Sequence, residues 1–281
     1  MLPALPCYRL ARTLDGRPTK AEVEKERCRR IRELGRVAHR GLWGEWCRRL
    51  AKALADDLVQ LKTMANPVFV WEMQDLLIGN IHLLLDQEDR KRVATFTINK
   101  RAWAKHAVEL LRVPELGTHG VDLKRSVKQE FRKNLNDALK KLREAGKVVR
   151  GWLICVIEVA YDEPTGCYQI HIHGIATDDY IDVVDGLRRF RSFKPWKKDG
   201  RLRIPGCRRP VVIKERLTDL PRPFAYMLKM FWKLRRAGKR VRLPGDEHIR
   251  SLLVLNQYRV DDLVLMMGVQ VKDGRLKAIS R

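Results

Sequence analysis

The chain has 281 residues, with 58 Lys+Arg against 34 Asp+Glu and a formal net charge of +24. That length can bury a substantial core, and the charge favours polyanions as partners: nucleic acid, an anionic membrane face or an acidic protein. No unbroken run of about 18 apolar residues is present, and residues 1–10 lack the basic-then-apolar order of a signal peptide. The expectation is therefore a cytoplasmic protein with no membrane partner, and nucleic acid leads.

Pro3, Pro6 and Pro18 mark residues 1–20 as an arm. Residues 21–88 carry a helical pattern, with Val23, Ile31, Leu34 and Val37, then Leu50, Leu54, Leu58 and Leu61, near helical spacing. Gly41 and Gly44 separate two helices, and Asn66-Pro67 separates two more. Arg and Lys fill the other faces, which are either solvated or DNA-contacting. Cys7, Cys28, Cys47, Cys155, Cys167 and Cys207 include no Cys-x-x-Cys pair, which argues against a zinc ribbon. Cys28, His39 and Cys47 form an alternative metal set, against the ordinary reading of reduced thiols.

The texture changes at Asp89. Residues 92–99 alternate with β-branched residues and predict a strand. A helix over 121–145 follows, with Leu123, Val127, Phe131, Leu135, Leu139 and Leu142 in one stripe and Gly146 closing it. A strand over 148–161, a turn with Pro164 and Gly166, and a strand over 168–176 come next. A helix over 178–190, a basic loop over 194–209, a short strand over 211–215 and a helix over 223–236 complete this part. A basic patch, a helical stretch over 246–255 and a hairpin over 269–278, turning on Asp273-Gly274, follow. The order predicts an α+β fold: an antiparallel β-sheet with helices on one face, a ferredoxin/RRM-like split βαβ core, plus an N-terminal helical region. The expected organisation is an arm (1–20), a helical region open to DNA binding (21–88), a core (89–236) and a C-terminal extension (237–281).

Within the strand over 168–176, His171 and His173 are two apart and share a face. Imidazoles so placed can hold one divalent ion. If the preceding turn is centred near Thr165 and Gly166, Glu158 lies opposite His171 and shares that face. A slip of one residue would send it to the other. Two imidazoles and a carboxylate suit Mg²⁺ or Mn²⁺ bound next to a phosphate; the alternative for Glu158 is an ordinary cross-strand partner. Tyr226 and Lys229 are three apart on the expected helix and share a face. A phenol that attacks a phosphodiester needs a cation favouring phenolate, which Lys229 can supply. The alternative is a half-buried tyrosine with a solvated lysine one turn on. In the basic loop, Lys197, Lys198, Arg201, Arg203, Arg208 and Arg209 with Trp196 can track phosphates and stack on a base, or form a merely soluble loop.

Taken together, these motifs resemble the HUH endonuclease superfamily, in particular the plasmid and phage rolling-circle replication initiators. The first motif is a Thr-rich strand, matched by Thr95 and Thr97. The second is His-hydrophobe-His, matched by His171 and His173, with Glu158 on the preceding strand. The third is Tyr-x-x-Lys on a helix, matched by Tyr226 and Lys229. The resemblance covers residues 91–236. It implies a nuclease in which Tyr226 attacks single-stranded or hairpin origin DNA to give a 5′-phosphotyrosyl link. A divalent metal on His171, His173 and Glu158 would assist, with Thr95 and Thr97 contacting the strand. Position 230 is Met, so a second catalytic tyrosine four residues on is absent. No Gly-x-x-x-x-Gly-Lys-Ser/Thr loop is present, which implies a host helicase as partner. A transposase or mobilisation relaxase of the same superfamily is the alternative within this chemistry. A non-catalytic basic DNA-binding regulator is the alternative of another class.

Overall fold

A computed structural model of the chain describes residues 18–39, 44–56, 61–86, 92–100, 103, 105–106, 123–163, 166–193, 197–198, 201–202, 211–215, 233–236, 239–243 and 245–279. The N-terminal region holds three helices: α1 (Lys20–Val37), α2 (Gly44–Ala55) and α3 (Pro67–Asp86). A capping box starts α1: the Glu22 N–H donates to Thr19 Oγ1 and the Thr19 N–H to Glu22 Oε2. Val23 and Leu34 of α1 and Cys47, Leu50 and Leu54 of α2 are buried, as their spacing requires. Arg30 is the exception to the expected solvated cations. It is fully enclosed, paired with Glu26 at 3.0 Å and donating to Ala65 O at 2.6 Å, which ties α1 to the turn before α3.

Helix α3 changes one sequence expectation. Glu72 and Asp75 interrupt any unbroken apolar run, yet residues 67–85 are long and apolar enough to cross a membrane by length and composition alone. Here the helix packs on α1 and on the C-terminal hairpin, with Val70, Ile78, Ile81 and Leu84 in the core.

The remainder is α+β. Strands β1 (Val93–Asn99), β2 (Lys105–His106), β3 (Leu153–Asp162) and β4 (Cys167–Thr177) come first, with a π-helical turn (Leu123–Gln129) leading into α4 (Glu130–Glu144) before β3. Helix α5 (Asp179–Gly186), short strands β5 (Lys197–Lys198) and β6 (Arg201–Leu202), β7 (Val211–Lys214), β8 (Lys233–Arg236) and β9 (Lys239–Arg242) follow. Helices α6 (Gly245–Leu255) and α7 (Val260–Leu263) and strands β10 (Val264–Met267), β11 (Val269–Lys272) and β12 (Arg275–Ala278) end the chain. Five strands form an antiparallel sheet in the order β7–β1–β4–β3–β10. Its fifth member comes from the C-terminal extension. β2 adds to the end of β4, and β8 runs parallel to the end of β3 and carries β9.

The two faces of this sheet differ. Ala94, Phe96 and Ile98 of β1 and Tyr168, Ile170 and Ile172 of β4 are buried, whereas Thr95, Thr97, Asn99, Gln169, His171 and His173 are only half-buried. This is the period-two alternation of a sheet covered on one side. The stripe of α4 (Phe131, Leu135, Ala138 and Leu139) is buried in the same core. Interlocking segments hold the N- and C-terminal parts together. The Met64 N–H donates to Tyr258 O at 2.8 Å, Tyr258 Oη accepts from the Leu123 N–H at 3.2 Å, and the Leu276 N–H donates to Asn80 Oδ1 at 2.9 Å.

Three expected elements differ. The strand expected from 148 begins at Leu153, because Gly151 sits at φ +88, where a Cβ would stand 2.5 Å from Thr177 O, and no extended strand passes through it. Lys197, Lys198 and Arg201, expected in a loop, lie in a short antiparallel ribbon, with Lys197 level with Leu202 and Lys198 with Arg201. The helix expected over 223–236 does not reach its end: 233–236 is strand β8. The end of β3 at 160–162 runs beyond the reach of β10, and β8 supplies its neighbour on that edge. Residues 223–232 lie outside the described residues.

Gly174 marks the tightest packing under the histidine strand. A Cβ there would stand 2.5 Å from Phe96 Cζ and 2.7 Å from Ile154 O. Gly174→Ala is expected to lower the unfolding free energy by about 1–3 kcal/mol, seen as a reduced Tm. An unchanged Tm would show that the Phe96 ring yields freely.

Candidate functional site

The site is set by register. On one face of the sheet, Asn99, His171 and Glu158 stand in one cross-strand row, and Thr97, His173 and Val156 stand in the next. The structure therefore places Glu158 opposite His171. The imidazole centroids are 6.0 Å apart, and His173 Nε2 lies 3.4 Å from Glu158 Oε2. Glu158 is 7% exposed, enclosed in a strand whose neighbours Ile157 and Val159 are in the core.

The outer nitrogens of both rings are engaged from β1. Thr97 Oγ1 is 2.9 Å from His173 Nδ1, and His171 Nδ1 bonds Asn99 Oδ1. An amide oxygen only accepts, so a hydrogen bond here calls for the proton on His171 Nδ1 and the lone pair on Nε2, the tautomer that ligates a cation. A hydroxyl donates or accepts. Thr97 therefore serves His173 in either tautomer: with Nε2–H directed to Glu158, or with Nε2 as a ligand. A histidine held by a second partner at its far nitrogen is the usual arrangement around a metal, so this donor set fits a divalent cation. Among the described residues, no group of three His, Cys, Asp or Glu side chains is already drawn together around a common point. The set that fits is two imidazoles and one carboxylate on adjacent strands. Cys28, His39 and Cys47 form no such group: Cys28 is exposed and Cys47 enclosed, and burial pushes the Cys47 thiol up.

Asn99 is a site residue that the sequence reading missed. Its signal was available. It continues the alternation Thr95, Thr97, Asn99, and antiparallel pairing of β1 with β4 brings it level with His171. Thr95 lies one row further, opposite Ile175, on the half-exposed face. Tyr226, Lys229, Trp196, Arg203, Arg208 and Arg209 lie outside the described residues. Two other tyrosines, Tyr180 and Tyr258, are 7% and 8% exposed, and the Tyr258 hydroxyl is engaged with the Leu123 N–H. Enclosure on this scale makes both poor nucleophiles toward a polymer substrate.

In ¹⁵N-resolved imidazole spectra, His171 is expected as the Nδ1–H tautomer. Asn99→Ala should give a mixed tautomer and weaken Mn²⁺ binding about 10–100-fold, measured by calorimetry. Equal Mn²⁺ affinity in this variant would remove Asn99 from the site. Comparison of the chain with family models, with curated proteins and with solved structures finds no match in any of the three.

Proposed function

We propose that the chain is a metal-dependent nuclease that nicks and joins single-stranded DNA through a tyrosine, as an HUH-type rolling-circle replication initiator. The observation that carries this reading is the His171–His173 pair on one sheet face, with Glu158 across from it and each ring braced from β1. The strand order β7–β1–β4–β3, with α4 between β1 and β3 and α5 between β4 and β7, supports a split βαβ core. The net charge of +24 supports a polyanionic substrate.

In this reading His171, His173 and Glu158 hold Mg²⁺ or Mn²⁺, which when bound supplies positive charge to a non-bridging oxygen of the scissile phosphate. Tyr226 Oη attacks phosphorus. The P–O3′ bond breaks, the 3′ oxygen leaves and takes up a proton, and a 5′-phosphotyrosyl ester remains. Lys229, one turn from Tyr226 on the expected helix, favours phenolate or clamps the phosphate. Asn99 and Thr97 hold the imidazoles in orientation. The ester retains the energy of the broken bond, so rejoining by a 3′-OH requires no nucleotide. A host helicase would open the duplex.

The second reading is a non-catalytic basic DNA-binding regulator, favoured by the same charge and by the lack of a ready-drawn three-donor group among the described residues. Labelled single-stranded origin DNA with Mn²⁺ separates the two. The nuclease forms a covalent adduct stable to denaturant. Tyr226→Phe should abolish the adduct while leaving binding within about twofold, and His171→Ala or His173→Ala should slow its formation by at least about 100-fold. If Tyr226→Phe still forms the adduct, Tyr226 is not the nucleophile; if no strand yields one, the regulator reading stands.

A further inference from the structure

We infer that the outer line of α1, formed by Lys25, Arg29, Arg32 and Arg36, is a docking surface for the phosphate backbone of duplex DNA. Steps of four, three and four residues keep these side chains within about 60° of arc on a helix of about 3.6 residues per turn. All four are exposed, and beyond the first turn of α1 the only other exposed residue is Cys28.

The four acidic residues of α1 all lie off this line and are committed elsewhere. Glu22 caps the N-terminus against Thr19. Glu24 pairs with Arg27 at 2.7 Å, and Glu26 pairs with the enclosed Arg30 at 3.0 Å. Glu33 pairs with Arg29 at 2.9 Å and stands 3.6 Å from His248 Nε2 of α6. Lys25–Arg29, Arg29–Arg32 and Arg32–Arg36 are thus successive like-charge neighbours one turn apart, an arrangement that destabilises a helix. Packing does not ask for it, because α1 buries Val23 and Leu34 on its other side. A row of phosphates relieves the repulsion. The contact of Glu33 with His248 also places the line. Helix α6 carries Glu247 and Arg250, which act electrostatically on the Tyr168 hydroxyl on the covered face of the sheet. Helix α1 therefore belongs to the helix side, with the histidine face on the other.

The chemistry of the line selects its occupant. Helix α1 contains no aromatic residue, and an unpaired strand is held largely by stacking on aromatic rings. Its apolar side chains are enclosed, so it has no face to insert into a membrane surface. A straight row about 16 Å long, at about 1.5 Å per residue, suits a stiff partner. One strand of a duplex places about five phosphates over that length, at about 3.4 Å each. The choice of DNA over RNA rests on the nicking function proposed above; the cation line does not.

The test is anisotropy of a short fluorescein-labelled DNA duplex against the full-length protein over a salt series, in EDTA to prevent nicking. Lys25→Gln, Arg32→Gln and Arg36→Gln combined keep the Arg29–Glu33 pair. This variant should weaken duplex binding at least about tenfold and flatten the log–log salt slope by roughly 0.9 for each phosphate no longer neutralised. Its binding of oligothymidylate should stay close to that of the parent. Arg32→Lys with Arg36→Lys keeps the charge and should bind the duplex like the parent. Should the triple variant fail to fold, Lys25→Gln with Arg36→Gln gives the same reading on a smaller scale. A control on α2, Arg48→Gln, Arg49→Gln and Lys52→Gln, makes the same change in net charge at cations already paired with Glu45 and Asp56, and should leave the slope largely unaltered. An unchanged slope in the α1 variant, an equal loss in the α2 control, or an equal loss toward oligothymidylate overturns the proposal. So does a loss of polyglutamate binding with duplex binding intact, which would assign the line to an acidic protein. Tighter binding of duplex RNA overturns the assignment to DNA. If no strand ever forms the covalent adduct but the α1 variant loses duplex binding, the nuclease reading fails and the surface stands; normal adduct formation with unaffected duplex binding does the reverse.

Discussion

The pairing register of β1, β4 and β3 is the constraint on which the site depends. Side chains alternate along a strand, so one residue of slip in β4 would carry His171 and His173 to the side of Ile170 and Ile172 and bring those isoleucines out. Ile170, Ile172, Ile98 and Phe96 are all buried on the covered face, and each such side chain is worth roughly 1.5–3 kcal/mol against exposure. The apolar set therefore fixes the register, and the polar set rides on it. Gly174 belongs to the same logic: directly after the second histidine, the strand must let Phe96 and Cys155 close in beneath it. Burial also pushes the Cys155 thiol up, so it acts there as a small apolar group rather than a reactive one.

The brace from β1 is itself anchored. Immediately after Asn99, Lys100 turns to the helix side and pairs with Glu130 at the start of α4, and Trp103 Nε1 donates to the other oxygen of that carboxylate at 2.7 Å. The Trp103 indole meets Phe131 and Phe193 edge-on at 6.2 Å each, and the Lys100 ammonium stands 5.5 Å over the Phe193 ring. A buried ammonium needs such partners. The end of β1 is thus held from the helix layer while its other side holds His171, so the orientation of one imidazole traces back to packing on the opposite face. At the other end of β1, the guanidinium of Arg92 reaches Asp182 and Glu215, both at 3.1 Å.

Much of this is legible in the sequence because it depends on periodicity. The helices around Val23 and Leu50, the stripe of α4, the histidine strand and the Asp273-Gly274 hairpin follow from spacing and turn chemistry, and positive φ at Asp273 and Gly274 is the backbone signature of that turn. The partners across strands are less accessible. Opposition of Glu158 to His171 follows once the short turn fixes the hairpin, but Asn99 needs knowledge of which strand lies on the far side of β4. The enclosed Arg30 reads as surface because one of its partners, Ala65 O, is a backbone atom far along the chain, while the other, Glu26, looks like an ordinary exposed helix pair. Strand β8 reads as helix because the residues before it resemble one. Only the end of β3, where it outruns β10, reveals that four residues there must be extended.

Along the histidine face the chemistry changes in order, and the order has a physical reason. Ile154 and Ile175 are enclosed at one end, and in the row of Glu158, His171 and Asn99 the carboxylate is enclosed while His171 and Asn99 are half-buried. A carboxylate as enclosed as Glu158 is tolerated only if positive charge or a proton lies within contact range. His173 Nε2, at 3.4 Å, stands within that range. An N–H at that nitrogen, or a cation held by both groups, offsets the carboxylate, so the enclosure of Glu158 and the place of His173 in the next row form one constraint.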